Sequence, residues 1–380
     1  MTSLPPELLK EFARHLSRHE LTICVRVCQE WHAVFNQSLW EKVLLDSSRD
    51  RDSRFESFKK CVVEAGALSR SGCWIRVLRA FHYEAASLLT TYGANTCTEI
   101  ATMKLGSKSD NVVDNNDAIR LLEQSTKLRR LHLTGQMVAS TNPKYEQLIA
   151  AIPATLELLF IGDMGHDSEQ YPDSENGEDD DDDDETATPR QRPQPLIPLL
   201  PRLTNLGLLN VAVDNATWPL IFKNCPGLKT LCLDWSNGKD GAVALASAAR
   251  EHCPALNQLR LFNMSADLSQ SLFDEVWATF LSSSTCGWEV LEIDAVSNTV
   301  SVGPLSMAAL LPRLPLNQPL NQPLNGPLNQ PLHASTLKNL WVGYRAEIPS
   351  EYVRQLYEAA PNLTIRVNYE ALPRPTDLGK

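Results

Sequence analysis

The apolar residues of this chain recur in one six-residue pattern, apolar-x-x-apolar-x-apolar. The pattern is clearest at Leu128–Leu133 and Leu228–Leu233, and each is followed 28 residues later by a second copy, at Leu156–Ile161 and Leu256–Leu261. This alternation of apolar and other residues predicts a short strand with one buried face. Weaker copies predict further strands, which begin at Ile100, Leu203, Trp288, Leu337 and Leu363.

Amphipathic helical patterns lie between the predicted strands. In Asp267–Leu281, the large apolar side chains share one helical face, and Asp267 is suited to cap the N-terminus. The same kind of spacing predicts four more helices, at Asn116–Gln124, Tyr145–Ile152, Gly241–His252 and Ser350–Ala359. Strands and helices therefore alternate along most of the chain.

The spacing of the copies is regular. Their first positions lie 25 to 32 residues apart, except for two intervals of 47 and 49 residues, and both of these contain a low-complexity insert. One short strand and one amphipathic helix in about 28 residues is the leucine-rich-repeat unit, which buries its apolar face only against its neighbours. The sequence therefore predicts an α/β fold in which repeats stack into a curved solenoid.

A conventional α/β domain is the alternative to the repeat. It accounts for alternating strands and helices, but it leaves unexplained the phrase Cys-Pro-x-Leu-x-x-Leu-x-Leu, which begins at both Cys225 and Cys253. Because the phrase recurs at the period of the strands, we favour the repeat architecture.

The charge of the chain is concentrated in the first insert. The formal net charge is −11, but ten carboxylates lie between Asp173 and Glu185, and the rest of the chain carries only −1. This argues against a nucleic-acid binder, which needs a basic face to neutralise phosphates. The second insert repeats Leu-Asn-Gln/Gly-Pro over Leu316–Pro331, and a proline at every fourth position forbids a regular helix. We predict disordered inserts at residues 163–198 and 313–334.

Nothing in the sequence indicates secretion, membrane insertion or a metal site. Met1–Glu7 lacks the basic and apolar regions of a signal peptide, and no window of about 18 residues is apolar enough to span a bilayer. The nine cysteines form neither a disulfide framework nor a C-x-x-C pair. Cys24 and Cys28 lie in an apolar helical pattern, which favours buried thiols over metal ligands. We expect a reduced protein in the cytoplasm, the nucleus or both, with no cofactor.

The first forty residues contain three short helical patterns with dense apolar faces. The first helix is predicted to begin at Pro5–Glu7, with prolines in its first turn and an acid near the positive end of its dipole. Leu21–Cys28 and Trp31–Phe35 supply the other two faces. So short a module buries too little surface to be stable alone, so it requires support from the solenoid or from a partner.

This stretch resembles an F-box. The resemblance rests on Leu4-Pro5-x-Glu7-Leu8-Leu9, on Val27-Cys28-x-x-Trp31 and on Leu39-Trp40, with Leu16 and Leu21 between them. Phe12 and His15 depart mildly from the family, where Ile and Tyr are commoner. An F-box followed by leucine-rich repeats is the arrangement of the substrate receptors of SCF cullin–RING ubiquitin ligases. The predicted organisation is an F-box at 1–45, a linker helix region at 46–70, a solenoid at 71–370 and a tail at 371–380.

The resemblance implies that the F-box docks on a Skp-type adaptor and, through it, on a cullin–RING core. In that family the receptor holds a target near a charged conjugating enzyme, and the bond-making residues lie on other subunits. By position, ten residues form or support the adaptor contact: Leu4, Pro5, Leu8, Leu9, Phe12, Leu21, Val25, Val27, Trp31 and Trp40. The sequence leaves open which of them touch the adaptor and which hold the three helices together.

An as yet unidentified target protein is expected on the face that the repeat strands turn away from the core. Residues that flank the second and third apolar positions of each copy point to that face. Eight of them are candidate target contacts: Arg130, His132, Phe160, Asp234, Arg260, Phe262, Glu292 and Trp341. The alternative for any of these residues is that an insert or loop covers it.

The sequence contains no convincing catalytic motif. It has no Gly-rich phosphate loop, no H-E-x-x-H and no G-x-S-x-G, and Ser57–Lys60 fits S-x-x-K without the companion motifs. We therefore predict a non-catalytic receptor without nucleic-acid or membrane partners. A scaffold that binds the adaptor without ubiquitin transfer is the alternative, and an enzyme with an unrecognised site is a more remote one.

Overall fold

The structure is a computed structural model of the chain. It divides into two compact units, Met1–Arg192 and Pro193–Lys380, here called unit 1 and unit 2. The structure describes residues 4–45, 52–82, 84–106, 115–134, 144–162, 197–209, 211, 213–234, 238–262, 274–275, 278, 289–293, 300–301, 303–310, 338–342, 346–359, 362–367 and 370–371.

Unit 1 begins with three helices and continues with alternating strands and helices. Its helices are α1 (Pro6–His15), α2 (Arg18–Cys24), α3 (Gln29–Glu41), α4 (Asp52–Val63), α5 (Ala67–Ser71), α6 (Ala85–Gly93), α7 (Asn115–Gln124) and α8 (Tyr145–Ala150). Its strands are β1 (Lys42–Leu45), β2 (Val77–Ala80), β3 (Thr102–Gly106), β4 (Arg130–Thr134) and β5 (Leu158–Ile161).

The strands of unit 1 form one parallel sheet in which each strand pairs with the next in sequence. The register places Leu78, Met103, Leu131 and Leu159 side by side, and each is fully buried. The residues that alternate with them are half-buried or exposed. The sheet therefore has one core face and one face that we call the open face of unit 1.

Helices α1, α2 and α3 form an N-terminal module with its own core. Trp31 packs on Phe35, with 5.3 Å between the ring centroids. Leu16, Cys24, Val25 and Leu39 are partly buried against the same cluster. The fully buried members of this core are Leu9, Ala13, Leu21, Val34 and Phe35.

Two short-range caps define where the helices of the module begin. The Ser17 hydroxyl accepts the Glu20 N–H at 3.3 Å, and the Glu20 carboxylate accepts the Ser17 N–H at 2.6 Å, which completes a capping box at α2. The Cys28 Sγ accepts the Trp31 N–H at 3.5 Å at the start of α3. Cys28 is exposed, so the expectation of a buried thiol is wrong there, because a capping side chain points away from the helix interior.

The module continues into the sheet without a linker, since α3 ends at Glu41 and β1 begins at Lys42. The Glu41 carbonyl accepts the N–H of Arg76 at 2.9 Å, just ahead of β2. The Arg18 guanidinium donates to the Lys42 carbonyl at 3.3 Å. The module and the first two strands are therefore joined by covalent continuity and by backbone hydrogen bonds.

Unit 2 also alternates strands and helices. Its helices are α9 (Trp218–Asn224), α10 (Gly238–His252), α11 (Pro304–Leu310) and α12 (Ser350–Ala359). Its strands are β6 (Asn205–Leu208), β7 (Thr230–Asp234), β8 (Gln258–Phe262), β9 (Val290–Ile293), β10 (Val300–Ser301), β11 (Asn339–Val342), β12 (Ala346–Glu347), β13 (Thr364–Val367) and β14 (Glu370–Ala371).

The sheet of unit 2 repeats the arrangement of unit 1. Strands β6, β7, β8, β9, β11 and β13 pair in that order and in parallel, and β14 adds an antiparallel edge to β13. Strands β10 and β12 form a separate parallel pair. Leu231, Leu259, Leu291, Leu340 and Ile365 occupy one buried row. The residues between them define the open face of unit 2.

The cysteines of the repeated phrase are structural. The Cys253 thiol donates to the Cys225 carbonyl, 3.1 Å away and one repeat earlier. Burial raises the pKa of Cys225 to about 12, and the neighbouring Cys253 thiol adds to the shift. The Cys225 thiol is therefore neutral, and Cys253 satisfies a buried carbonyl in the preceding turn.

Asp274 is a buried acid that has a comparable structural role. Its carboxylate accepts the N–H groups of Gly303, Leu305 and Ser306 at 3.1, 2.9 and 2.9 Å. These are donors at the start of α11, which the helix itself leaves unsatisfied. Asp274 thus stabilises the positive end of that helix.

The strand predictions are confirmed for every copy of the pattern from Ile100 to Leu363, and four of the five predicted helices are present. The fifth, Asp267–Leu281, lies outside the described residues except at 274, 275 and 278, as do the two inserts except at 197 and 198. The structure adds β1 and β2, which were not predicted. These two strands lie within two weaker forms of the same pattern, Trp40-x-x-Val43-x-Leu45 and Ile75-x-x-Leu78-x-Ala80. Residues 46–70, predicted as a linker helix region, hold α4 and most of α5.

Candidate functional site

Five large apolar side chains of the N-terminal module are exposed, although the module has a core available to bury them. Phe12 is 57% exposed and Leu8 is 50% exposed, and their spacing of four residues places them on one side of α1, while Leu4, 45% exposed, lies just before that helix. Ile23 on α2 and Val27 after it are also exposed. We call Leu4, Leu8, Phe12, Ile23 and Val27 the exposed apolar set.

The structure divides the ten predicted adaptor contacts into two groups. Leu4, Pro5, Leu8, Phe12 and Val27 are exposed, and all but Pro5 belong to the exposed apolar set. Leu9 and Leu21 are buried in the core of the module, and Val25 and Trp31 are partly buried against it. Trp40 is half-buried and lies 6.2 Å from Phe58 of α4, between ring centroids.

Ile23 was missed by sequence reasoning. It lies two residues after Leu21, which is buried, and α2 turns by about 100° per residue, so the two side chains point to different sides. The signal in the sequence was Ile23-x-x-x-Val27, an i, i+4 apolar pair beside the core positions. Exposed apolar side chains of this size on a small module make this surface a candidate for protein binding.

The capping box beside this surface is electrostatically stabilised. The hydrogen bonds from Ser17, first that of its side chain and then that of its backbone, hold the pKa of Glu20 below its usual range. Glu20 is therefore ionised at neutral pH, and it lies at the positive end of α2. The cap fixes the chain between α1 and α2, which carry the exposed apolar set.

The open face of unit 1 carries three of the predicted target contacts. Arg130 is exposed on β4, and His132 stacks on Phe160 of β5, with 5.4 Å between ring centroids and 21° between ring planes. Phe160 is half-buried by this contact. The register also places Arg79 and Lys104, two cations that sequence reasoning missed, in the same row as His132 and Phe160. Arg79 lies on the unpredicted strand β2, whereas Lys104 flanks a predicted copy.

The open face of unit 2 brings three further predicted residues together. The register aligns Arg260, Glu292, Trp341 and Arg366 on four neighbouring strands. The Arg260 Nε lies 3.4 Å from Glu292 Oε2 as an ion pair without hydrogen-bond alignment. The guanidinium carbons of Arg260 and Arg366 lie 5.8 and 5.0 Å from the Trp341 ring centroid. Trp341 is half-buried between these two cations.

Two predicted residues of unit 2 differ from the expectation of an accessible contact, and a third is only partly described. Glu292 is only 7% exposed, because Arg260 and the neighbouring strands cover its carboxylate. Asp234 is half-buried at the end of β7. Phe262 is aligned with Asp234 in β8, but its side chain lies outside the described residues.

Cys232 also lies in the row of Arg260 and Glu292. Burial raises the pKa of the Cys232 thiol to about 11, while Arg260 lowers it and Glu292 raises it. The thiol is therefore protonated at neutral pH and is not an activated nucleophile.

Within the described stretches of the chain, no group of three or more His, Cys, Asp and Glu side chains is arranged to hold a metal ion. Among those same residues, no helix combines the length and apolar character needed to cross a bilayer. The candidate surfaces are the exposed apolar set and the two open faces.

Comparison with known proteins identifies the N-terminal module. The F-box-like family matches residues 1–46. No curated protein matches the chain. Among solved structures, the leucine-rich-repeat-containing protein LegL7 from Legionella pneumophila is similar, with 13% identity and a TM-score of 0.38 over 78% of this chain and 86% of that one. The yeast Rad7–Elc1 complex gives 11% identity and a TM-score of 0.39 over 97% of this chain and 90% of that one.

The family match covers α1, α2, α3 and β1, which include the exposed apolar set. The remaining described elements are strands and helices in units of about 28 residues, each with the buried leucines of the repeat pattern. The chain therefore carries an F-box-like domain at residues 1–46, followed by repeat units of the leucine-rich type.

Proposed function

We propose that the protein is the substrate-recognition subunit of an SCF-type ubiquitin ligase. The F-box-like domain docks on a Skp-type adaptor, the adaptor connects it to a cullin–RING core, and the open faces hold a target protein. The chain forms no bond itself, because its contribution is to raise the effective concentration of the target near a charged conjugating enzyme. The adaptor and the core would then locate it in the cytoplasm, the nucleus or both.

The observation that supports this proposal is the exposed apolar set on an F-box-like domain. Full burial of a leucine or phenylalanine side chain contributes about 1.5–3 kcal/mol. Leu8 and Phe12 lie one turn apart on α1, so one partner surface can cover both. The buried members of the same helix, Leu9 and Ala13, already hold α1 against the module.

The test is recovery of the adaptor and the cullin with the full chain. The variant Leu8→Ala/Phe12→Ala is expected to bind the adaptor on the order of a hundredfold more weakly, because it removes two large apolar contacts. Its thermal unfolding should match that of the parent, since neither side chain is buried. The matched control is Lys10→Ala/Arg26→Ala, which changes two exposed polar residues of the same module and should leave adaptor recovery unchanged.

Three outcomes of this experiment are informative. Adaptor and cullin recovered together, and lost together in Leu8→Ala/Phe12→Ala, support the receptor. Adaptor recovered without cullin supports a scaffold that does not transfer ubiquitin. Unchanged recovery in Leu8→Ala/Phe12→Ala, and in the further variant Pro5→Ala/Leu8→Ala, contradicts docking through this surface.

The target surface has its own test. Trp341→Ala/Arg260→Glu is expected to weaken target capture and to leave adaptor binding intact, because both residues lie on the open face of unit 2. Arg260 also pairs with the buried Glu292, so Arg366→Glu, which removes the other cation beside Trp341, is the companion variant. Proximity labelling with the parent and with each variant measures capture. Loss of the adaptor together with the target contradicts this assignment.

A further inference from the structure

The open face of unit 1 carries positive charge that its own strands do not balance. Four of its strand positions hold Lys or Arg, and none of the described ones holds Asp or Glu. The cations are Lys42, Arg79, Lys104 and Arg130. Outside the run of ten carboxylates between Asp173 and Glu185 the chain carries a formal net charge of only −1, so this face is more basic than the rest of the chain.

The register places the basic side chains of this face on neighbouring strands. Arg79 lies directly opposite Lys104 on the neighbouring strand, and Lys104 lies opposite His132. Neighbouring strands are about 4.8 Å apart, so these side chains lie close to one another on the open face. Within the described part of unit 1, Lys42, Lys104 and Arg130 form no ion pair.

The cations on the turns of the same repeats differ from those of the open face, because carboxylates lie beside them. Arg76 and Lys127 both lie 2.5 Å from the carboxylate of Glu99, and Arg129 lies 3.7 Å from Glu157. The turn cations are therefore balanced by carboxylates from neighbouring repeats. Among the described residues, Lys42, Lys104 and Arg130 have no such carboxylate beside them, so the charge that balances them can come from a ligand.

Apolar side chains adjoin these cations. Phe160 stacks on His132, and Leu158 is the half-buried neighbour of Arg130 in the register. Phe160 lies two strands from Lys104, which corresponds to about 10 Å, or about three residues of extended chain. The face thus offers a cationic part and an apolar part at a spacing that one short peptide spans.

We infer that the open face of unit 1 binds an acidic segment of a partner protein. Carboxylates of the segment pair with Lys104 and Arg130, and an apolar side chain about three residues further along packs on Phe160 and Leu158. This inference rests on the proposed function, because it names the class of target that the receptor captures.

A protein segment fits this face better than a nucleic acid does. A nucleic acid is bound mainly through many phosphate contacts, on the order of six to ten for a tight complex. Here the cations are few and stand beside Leu44 and Leu158, aliphatic side chains that offer no flat ring for a base to stack on. A peptide supplies both carboxylates and apolar side chains.

The test measures fluorescence anisotropy of a labelled peptide, Glu-Glu-Asp-Gly-Gly-Phe, with the full chain in complex with its adaptor. The peptide places its last acid three residues before its phenylalanine. Binding is expected, and Lys104→Glu/Arg130→Glu should weaken it by at least about tenfold, because two charge-assisted contacts become repulsive. Phe160→Ser should weaken binding of this acidic peptide as well. The uncharged peptide Gln-Gln-Asn-Gly-Gly-Phe should bind the parent no more tightly than the acidic peptide binds Phe160→Ser.

A matched control separates this face from a general effect of charge. Lys60→Glu/Lys223→Glu makes the same change in net charge at two exposed helix positions, and it should bind the peptide as the parent does. Equal weakening in this control, or unchanged binding in Lys104→Glu/Arg130→Glu, overturns the inference. Circular dichroism of each variant verifies that it is folded.

Two other occupants are outcomes of the same experiment. If the peptide binds only after the ten carboxylates between Asp173 and Glu185 are changed to Asn and Gln, the occupant is the chain's own acidic run, and the inference is wrong. If a 20-nucleotide RNA binds more tightly than the peptide and is lost in the same variant, the ligand is a nucleic acid, and the inference is wrong. If the parent chain binds the peptide but recovers no adaptor, the result counts against the proposed function and leaves the inference standing.

Discussion

At the scale of the residue, Leu8 and Leu9 are neighbours with opposite surroundings. Leu9 is 1% exposed and packs in the core of the module, whereas Leu8 has half its surface open. Consecutive residues of a helix point about 100° apart, so Leu9 and Ala13 form the inner side of α1 and Leu8 and Phe12 form another side. The sequence predicts one broad apolar stripe here, and it does not specify which side the other two helices cover.

This difference predicts opposite effects of two similar substitutions. Phe35→Ala is expected to lower the free energy of unfolding by about 3–5 kcal/mol, because it opens a cavity in a closed core. Phe12→Ala should change it by no more than about 0.5 kcal/mol, as is usual for an exposed site. Urea unfolding of both variants measures the difference. A large loss of stability in Phe12→Ala would show that Phe12 is a core residue.

The cysteines provide a second prediction at this scale. Burial raises the pKa values of Cys97, Cys225 and Cys232 to about 11, 12 and 11, whereas Cys28, Cys61 and Cys73 are exposed. Iodoacetamide at pH 8 should therefore label the exposed group in the native protein and leave Cys97 and Cys225, which are fully buried, unlabelled. Mass spectrometry of native and urea-unfolded samples measures this, and labelling of Cys225 in the native protein would contradict its burial.

The raised thiol pKa values also determine a dependence of stability on pH. An unfolded thiol ionises near pH 9.0, whereas the folded Cys225 thiol stays protonated to about pH 12. Above pH 9 the unfolded state therefore binds fewer protons than the folded state, so stability falls as the pH rises. Cys225→Ser is expected to reduce this fall between pH 9 and 11 in thermal unfolding, with Cys61→Ser, an exposed site, as the control.

At the scale of the element, ion pairs join the turns ahead of three successive strands. The carboxylate of Glu99 accepts from Lys127 and from Arg76, and these two contacts, the first the larger, hold its pKa below the usual range. The Arg76 guanidinium also donates to the Glu99 carbonyl at 3.1 Å. Because Arg76, Glu99 and Lys127 precede β2, β3 and β4, the pairs fix the spacing of the repeats outside the core.

The ion pairs of Glu99 predict a stabilisation of the fold that is lost at low pH. A carboxyl with a lowered pKa stabilises the fold above its unfolded pKa, and the effect is lost as the pH falls through the folded value. Glu99→Gln should therefore melt at a lower temperature than the parent at pH 7, and the two should converge as the pH falls below about 4.5. The control Glu64→Gln, in a long 4.0 Å pair, should show no difference at either pH.

The repeat strands are the elements that sequence reasoning predicts best. Leu128, Leu131 and Leu133 are all fully buried, so the six-residue pattern reports a real alternation of core and open face. Strands β1 and β2 escape prediction because Trp40 continues a helical pattern and Ala80 is too small to mark the third position. Arg79 was not considered for the open face because its strand was missing, and Lys104 became apparent only when the register aligned it with Arg79 and His132.

At the scale of the molecule, the F-box-like domain depends on the first strands of unit 1. A module of about 40 residues buries too little surface to be independently stable. Its support here comes from the contact of Trp40 with Phe58 and from the hydrogen bond between Glu41 and Arg76. The short length of the module predicts that it needs support, but neither the family match over residues 1–46 nor the apolar pattern identifies β1 and β2 as that support, because the contact is created by strand pairing between residues 42 and 77.

This dependence is tested by an insertion. Six residues, Gly-Gly-Ser-Gly-Gly-Ser, placed between Glu41 and Lys42 should speed the hydrogen exchange of the amides of α1, α2 and α3, because the module loses its support. The amides of β4 and β5 should be unaffected. The same six residues inserted between Asp183 and Asp184 are the control. Unchanged exchange in the module would show that its three helices are stable without the sheet.

The direct passage from α3 into β1 also determines how the sheet of unit 1 is oriented relative to the N-terminal module. An α-helix advances by 1.5 Å and turns by about 100° with each residue. The number of residues in α3 therefore determines the direction in which the open face of unit 1 points, as seen from the surface that carries Leu8 and Phe12. Under the proposed function, the length of this one helix decides which lysines of a bound target face the conjugating enzyme.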